Sequence, residues 1–139
     1  MTQVDFYVLP KGGGLSLAQA VGRIAEKAVG KGHQVFIQAT EEAEAIDVQH
    51  GLWTFKAQSF LPSALVTSHD REPVAIGWEE PGLEYDDVLL NISGAVPVYF
   101  SRFRRLAEIV PQDEAKLAAS RDAWRFYRDR GYPLAKHDV

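Results

Sequence analysis

Arg121, Trp124, Arg125 and Arg128 stand at i, i+3, i+4 and i+7, the spacing that places side chains on one face of a helix. Guanidinium groups pair with carboxylates and phosphates in fork geometry, and tryptophan and arginine are enriched at binding hot spots. Leu117, one turn earlier, adds apolar surface. Such a face suits a short acidic peptide with a hydrophobic end and a free C-terminal carboxylate. Single-stranded nucleic acid could stack on Trp124, but one aromatic and a net charge of −4 fit that ligand less well. A structural account fits the same residues: Trp124 covers a neighbouring loop and the arginines are solvated charge. A second group lies between Gly51 and Pro62, where Trp53, Phe55 and Phe60 crowd a segment expected to be mostly loop. These rings either cap the end of a sheet or form an exposed apolar patch, the usual mark of a partner interface.

Other candidates for chemistry fail on spacing. Lys11-Gly12-Gly13-Gly14-Leu15-Ser16 follows the first expected strand. Counted from Gly12, the sixth position of a dinucleotide fingerprint is Leu17 rather than glycine, and the lysine precedes the glycines instead of following them as in a phosphate loop. The stretch therefore reads as a surface turn. His33, His50, His69 and His137 form no His-Glu-x-x-His and no close His pair. His50 follows Asp47 by three residues, a pairing more typical of solvated surface than of a metal site. Ser93 and Ser120 lack the Gly-x-Ser-x-Gly context of a nucleophile. Glu79-Glu80 and Asp86-Asp87 fall in expected loops and read as solvating charge. No metal, cofactor or catalytic residue is expected.

The elements that must position these residues alternate along the chain. Val4 to Leu9 reads as a strand, and Ser16 caps a helix running to about Gly30. Gln34 to Gln38 is a second strand, and Thr40 caps a second helix that extends to about Trp53. Thr54 to Arg71 reads as irregular. Pro73 to Trp78, Val88 to Ile92 and Leu106 to Val110 are further strands, with a short helical segment from Val96 to Phe103. Asp113 opens a last helix ending at Gly131, whose core stripe is expected at Ala115, Ala119, Ala123 and Phe126, with Trp124 turned away. Tyr132 to Val139 is expected to be coil. Strands alternating with helices imply one domain over residues 1–139, a three-layer α/β/α, Rossmann-like fold with a largely parallel sheet of about five strands.

Composition agrees with that class. At 139 residues, 46% of them hydrophobic and 24% charged, the chain is long enough for one real core. The absence of cysteine fits a reducing, cytoplasmic compartment. Neither a secretory signal nor an apolar run long enough to span a membrane is visible. Acidic residues collect in the first two thirds, and basic ones between Arg102 and Arg130.

Phe6-Tyr7-Val8-Leu9, Leu52-Trp53, Ser59-Phe60-Leu61-Pro62, Pro73-Val74, Asp87-Val88-Leu89-Leu90-Asn91, Ile109-Val110-Pro111 and the run from Arg121 to Leu134 stand in this order nearly end to end. In order, spacing and total length the chain resembles the chi subunits of the bacterial DNA polymerase III clamp-loader complex. The resemblance implies a non-enzymatic linker without cofactors, which pairs with the psi subunit of the clamp loader. It also implies a grip on the acidic, phenylalanine-ended tail of the single-stranded-DNA-binding protein, with DNA touched only indirectly. By position, Trp53 and Phe60, with Phe55 and Pro62 of the same segment, would belong to the psi-facing surface. Arg121, Trp124, Arg125 and Arg128 would line the tail site, with Gly131, Tyr132 and Leu134 completing its pocket. Two positions depart from the family pattern: Ser63 stands where a histidine often follows Phe-x-Pro, and Leu117 where a basic residue is expected one turn before Arg121. A nucleotide-binding enzyme using the Rossmann-like crevice is the alternative.

Overall fold

Three strands are buried along their whole length: β2 (Val35–Gln38), β4 (Val74–Gly77) and β5 (Val88–Asn91). Apolar runs with no polar alternation belong in a parallel sheet covered on both faces. A computed structural model, which describes residues 1–55, 63–65 and 73–139, shows such a sheet. Its order is β3-β4-β2-β5-β6-β1-β7, with β1 at Gln3–Val8, β3 at Ser63–Leu65, β6 at Arg105–Val110 and β7 at Leu134–Asp138. Every pairing is parallel.

Helices α1 (Leu17–Gly30) and α2 (Glu42–Phe55) cover one face. Helix α3 (Glu114–Asp129) covers the other. Ser16 caps α1 in a reciprocal box with Gln19, each side chain accepting from the other residue's backbone N–H. Asp113 caps α3 by accepting from the Lys116 N–H at 3.0 Å. Helix α2 packs closely on α1 at Gly51, where a Cβ would collide with that of Ala18. At the other end of the chain Gly131 adopts φ +80°, the left-handed turn that ends α3 and that glycine enters without strain. The Tyr132 N–H then bonds the Tyr127 carbonyl at 3.1 Å.

Several expectations need correction. The sheet has seven strands rather than about five. The chain end is not coil: β7 pairs with β1 from Val4↔Leu134 to Val8↔Asp138. It lacks the β-branched pattern of a strand because it is an edge, and Lys136, His137 and Asp138 keep that edge polar. The stretch expected to be irregular from Thr54 contributes two residues to α2 and contains β3. Thr40 does not cap α2 through its hydroxyl, which donates to the Ser93 carbonyl, while the Thr40 N–H is taken by Glu44. The helical segment expected from Val96 to Phe103 shrinks to a 3₁₀ turn at Phe100–Arg102. Asp87 is more than solvating charge: it accepts from the Gln34 N–H and faces His33, each at 3.1 Å.

Candidate functional site

The α3 face of the sheet carries an aromatic and aliphatic core built from Phe6, Phe36, Leu89, Phe100, Phe103, Leu106, Ala123 and Tyr127. Helix α3 buries Ala123 and Tyr127 in it, while Ala115 is exposed and Leu117 and Trp124 are half-buried. The core stripe is therefore rotated from the one expected, and Trp124 is not turned away from the sheet. Its ring meets Phe6 edge-on, with centroids 5.1 Å apart, a geometry in which the positive ring edge meets the negative face. Deciding between two faces of one helix needed the position of the sheet, which helical periodicity alone does not supply.

Beside this aromatic contact the helix and sheet part, leaving an open groove of about 440 Å³. Phe6 and Val8 of β1 and Val110 of β6 form its floor, Leu117, Ser120 and Trp124 its helical wall. Arg121, Arg125 and Arg128 line it from α3 and Lys136 from β7, and no carboxylate is among its lining residues. Arg125 leans toward Asp122 at 3.3 Å and Arg128 toward Asp129 at 3.1 Å, all on exposed side chains. Exposed pairs of this kind contribute little and yield readily to a better partner. Arg121 has no carboxylate partner among the described residues. An apolar slot ending in cations that are held at most by exposed carboxylates can accept a hydrophobic side chain and the negative charge next to it.

The structure brings Arg121, Trp124, Arg125 and Arg128 together in this groove. Gly131, Tyr132 and Leu134 do not line it. Tyr132 packs on Phe100 at 5.0 Å, and Leu134 leads into β7, so the three form the turn that delivers Lys136 to the groove. Trp53 and Phe55 belong to the last turn of α2, Trp53 as expected and Phe55 in place of the irregular stretch expected from Thr54. Phe60 and Pro62 lie outside the described residues. Lys136 and Gln112, both lining the groove, escaped sequence reasoning: one sits on the unrecognised strand, the other before the helix.

Behind the groove lies a buried polar cluster that also escaped. Glu108 is only 5% exposed. The Tyr127 hydroxyl donates to its Oε2 at 2.6 Å, and Asn91 Nδ2 donates to its Oε1 at 2.7 Å. Asn91 is itself held by Ser93, whose hydroxyl donates to its Oδ1 at 2.7 Å. Burial pushes the Glu108 carboxyl up to about 7, against the pull of the hydrogen bonds from Tyr127 and Asn91. The Tyr127 hydroxyl is raised by burial and then by Glu108. An acidic residue inside Leu106-Ala107-Glu108-Ile109-Val110, with the parity of the helix-facing Leu106, was the available signal.

The crevice at the carboxyl ends of β1 and β6, where such folds bind nucleotides, is spanned by Gln112, whose Nε2 donates to the Leu9 carbonyl at 3.0 Å. Lys116 nearby is turned to the carbonyls of Ile92 and Ser93 at 3.3 and 3.1 Å. Among the described residues no group of three or more His, Cys, Asp or Glu is placed to hold a metal ion. No helix among them is long and apolar enough to cross a membrane.

Known proteins place this architecture. The family model described as DNA polymerase III chi subunit, HolC, matches residues 1–135. A DNA polymerase III subunit chi from Pseudomonas aeruginosa is 39% identical over 137 residues, covering 99% of this chain and 96% of the relative. The protein of that name from Escherichia coli is 27% identical over 141 residues, covering 96% of each. One from Haemophilus influenzae is 25% identical, covering 97% of this chain and 96% of its own. The chain, with its all-parallel sheet and its cationic groove beside α3, belongs to the DNA polymerase III chi subunit family.

Proposed function

We propose that the protein is a non-catalytic, cytoplasmic subunit that bridges two partners at the replication machinery. One is the acidic C-terminal tail of the single-stranded-DNA-binding protein; the other is the psi subunit of the clamp loader. The observation that carries this reading is the groove: an open apolar slot under Trp124 lined by Arg121, Arg125, Arg128 and Lys136, with no lining carboxylate. A phenylalanine-ended tail offers a ring for the slot and a terminal carboxylate for the guanidinium groups. The tail site comprises Arg121, Trp124, Arg125 and Arg128, with Gly131, Tyr132 and Leu134 setting the turn beside it. DNA is reached only through the bound protein.

The psi-facing surface is assigned to Trp53, Phe55, Phe60 and Pro62. The topology supports a division into two surfaces. The chain leaves α2 for β3, which is one edge of the sheet, whereas β7 and the groove stand at the other. Six strand spacings separate β3 from β7, roughly 29 Å, so two partners fit without sharing a surface.

Titration of a peptide ending in Asp-Ile-Pro-Phe with a free carboxylate tests the tail site. Micromolar binding, roughly −8 kcal/mol, is expected for the wild type. Arg121→Ala should lose most of it while keeping its circular dichroism spectrum and melting temperature. Equal affinity in the two proteins would remove Arg121 from the site. For the second surface, Phe60→Ala should no longer co-purify with the psi subunit yet should bind the peptide normally. Unchanged co-purification would displace that assignment.

A further inference from the structure

Residues paired side by side in a parallel sheet point to the same face. The registers Gln38↔Asn91, Asn91↔Glu108, Phe6↔Glu108 and Phe6↔Lys136 therefore form one crosswise row beneath α3. The row begins at Gln38, which accepts from the Tyr99 hydroxyl, and ends at Lys136 in the groove. Glu108 sits in its middle, one strand from Phe6. Two residues further along β6, Val110 lines the same groove. The helical partner of Glu108, Tyr127, is followed by the groove residue Arg128 and packs on Phe6 with centroids 6.0 Å apart.

No cation answers this carboxyl at hydrogen-bond distance. From α3 it faces the neutral Tyr127, and Lys116 on the same helix is committed to the Ile92 and Ser93 carbonyls. From β5 it faces Asn91, with Ser93 behind. From β1 it faces the ring of Phe6. Lys136 of β7 stands beyond that ring, 3.8 Å from the exposed Asp138 on the same face of the strand, with Arg121, Arg125 and Arg128 around the groove. Asp5, Tyr7 and His137 have the opposite parity and meet one another on the other face, His137 Nε2 lying 3.0 Å from Asp5. Among the described residues Glu108 is thus answered at hydrogen-bond distance by the neutral donors Tyr127 and Asn91 and by no cation.

We propose that Glu108 is a proton-linked positioning residue of the groove, competing with an anionic chain end for the field of Lys136 and the arginines, so that ligand binding and protonation of Glu108 favour each other. The proposal rests on the reading of the groove as an acidic-tail site. Protonated, Glu108 puts no charge behind the groove's cations, whose other carboxylate partners, Asp122, Asp129 and Asp138, are exposed. Ionised, it sets a negative charge behind the floor. Two strand spacings, about 10 Å, separate its row position from that of Lys136. At that distance and an intermediate dielectric, the repulsion of a bound carboxylate changes affinity roughly tenfold. The coupling is reciprocal: a bound carboxylate raises the proton affinity of Glu108 by the same factor. Burial already leaves this carboxyl titrating at about 7, so the exchange falls in the neutral range.

The test is calorimetric titration of the Asp-Ile-Pro-Phe peptide between about pH 6 and 8, where the peptide's carboxylates stay ionised. Wild-type affinity should fall about fivefold across that interval. Binding at about pH 7.5 should take up about half a proton, read from buffers of different ionisation enthalpy. Glu108→Gln keeps the shape and one acceptor oxygen for Asn91, its NH₂ meeting a Tyr127 hydroxyl that can turn to accept, and should bind about fivefold tighter than wild type at pH 8, with a flattened profile. His137→Gln, which removes the imidazole next to Lys136 in the chain, should keep the wild-type slope. Parallel profiles for wild type and Glu108→Gln, or no Glu108-dependent proton uptake, would overturn the proposal while leaving the groove assignment standing. If Glu108→Gln does not fold, the proton uptake of wild type and His137→Gln decides: absence in both overturns it. No peptide binding by folded wild type at any pH would sink the groove reading, and this inference with it.

Discussion

Glu108 also makes the stability of the fold depend on pH, and the size of the effect can be worked from its surroundings. In the unfolded chain its carboxyl has an ordinary value of 4.5, whereas in the fold burial raises it to about 7. Between these values the folded state holds a proton that the unfolded state has released. Stability from this residue is therefore complete below about pH 4.5 and is lost as pH rises through about 7. From one limit to the other a shift of this size is worth roughly 3 kcal/mol. Over the practical interval from about pH 5 to 8, linkage leaves most of it, roughly 2–3 kcal/mol. Urea unfolding of wild type and Glu108→Gln, measured side by side, isolates the residue because all other titrations are common to both. The wild type should gain roughly 2–3 kcal/mol on the variant as pH falls from 8 to 5, moving its relative midpoint by about 1 M urea or more. Acid-side stabilisation is the reverse of what paired carboxylates give, so the sign alone is diagnostic. A difference between the two proteins that is flat from pH 5 to 8 would refute the reasoning: the carboxyl would then be solvated or compensated in the folded state.

Four other perturbations follow from the same geometry. Tyr127→Phe removes the donor 2.6 Å from Glu108 Oε2 and should cost about 1–3 kcal/mol in denaturant unfolding, the loss being larger at pH 8 than at pH 5. Trp124→Ala deletes the edge-on contact with Phe6 and should lower stability by about 1–3 kcal/mol while abolishing tail-peptide binding; binding that survives would detach the ring from the site. Gly131→Ala must place a Cβ at φ +80° and should cost about 1–2 kcal/mol, read as a drop in melting temperature. Raising salt from about 0.05 to 0.5 M should weaken the peptide several-fold, because exposed guanidinium groups beyond a Debye length are screened; salt-independent affinity would show that the slot rather than the cations holds the ligand.

The legible parts of the fold were those in which one local rule acts without a competitor. Val35–Gln38 and Val88–Asn91 are apolar runs bounded by turn residues, and Ser16 and Asp113 are side chains that can satisfy helix N–H groups from where they stand. The parts that failed depend on partners distant in sequence. Leu134–Asp138 becomes a strand only because β1 offers it an open edge. Ala115 and Trp124 exchange expected roles because the helix is seated by Tyr127, whose hydroxyl finds Glu108 across nineteen positions of chain. The arginine spacing on α3 was visible, but the groove is not a property of the helix. It also needs Phe6, Val8, Val110 and Lys136 from three strands, and no periodicity within one element reports that encounter.

The strand order explains why the groove does not lie where this architecture usually binds its ligands. In folds of this type the crevice at the carboxyl ends of the strands is the usual ligand site; here Gln112 spans it between β6 and β1, bonding the Leu9 carbonyl. The groove lies between the sheet and α3 instead, floored by β1 and β6 and flanked by β7, at the edge that the last strand closes. It owes its opening to the same feature that makes β7 inconspicuous, a polar strand that ends the sheet without continuing its apolar core. The opposite edge is reached from α2 and β3, so the two edges belong to one hydrogen-bonded sheet. On the proposed reading, a ligand held at one edge would be fixed in position relative to a partner at the other, about 29 Å away by strand spacing. Such an arrangement would need no conformational change in between, because β4, β2 and β5 lie between the edges, bonded side by side and buried along their whole length.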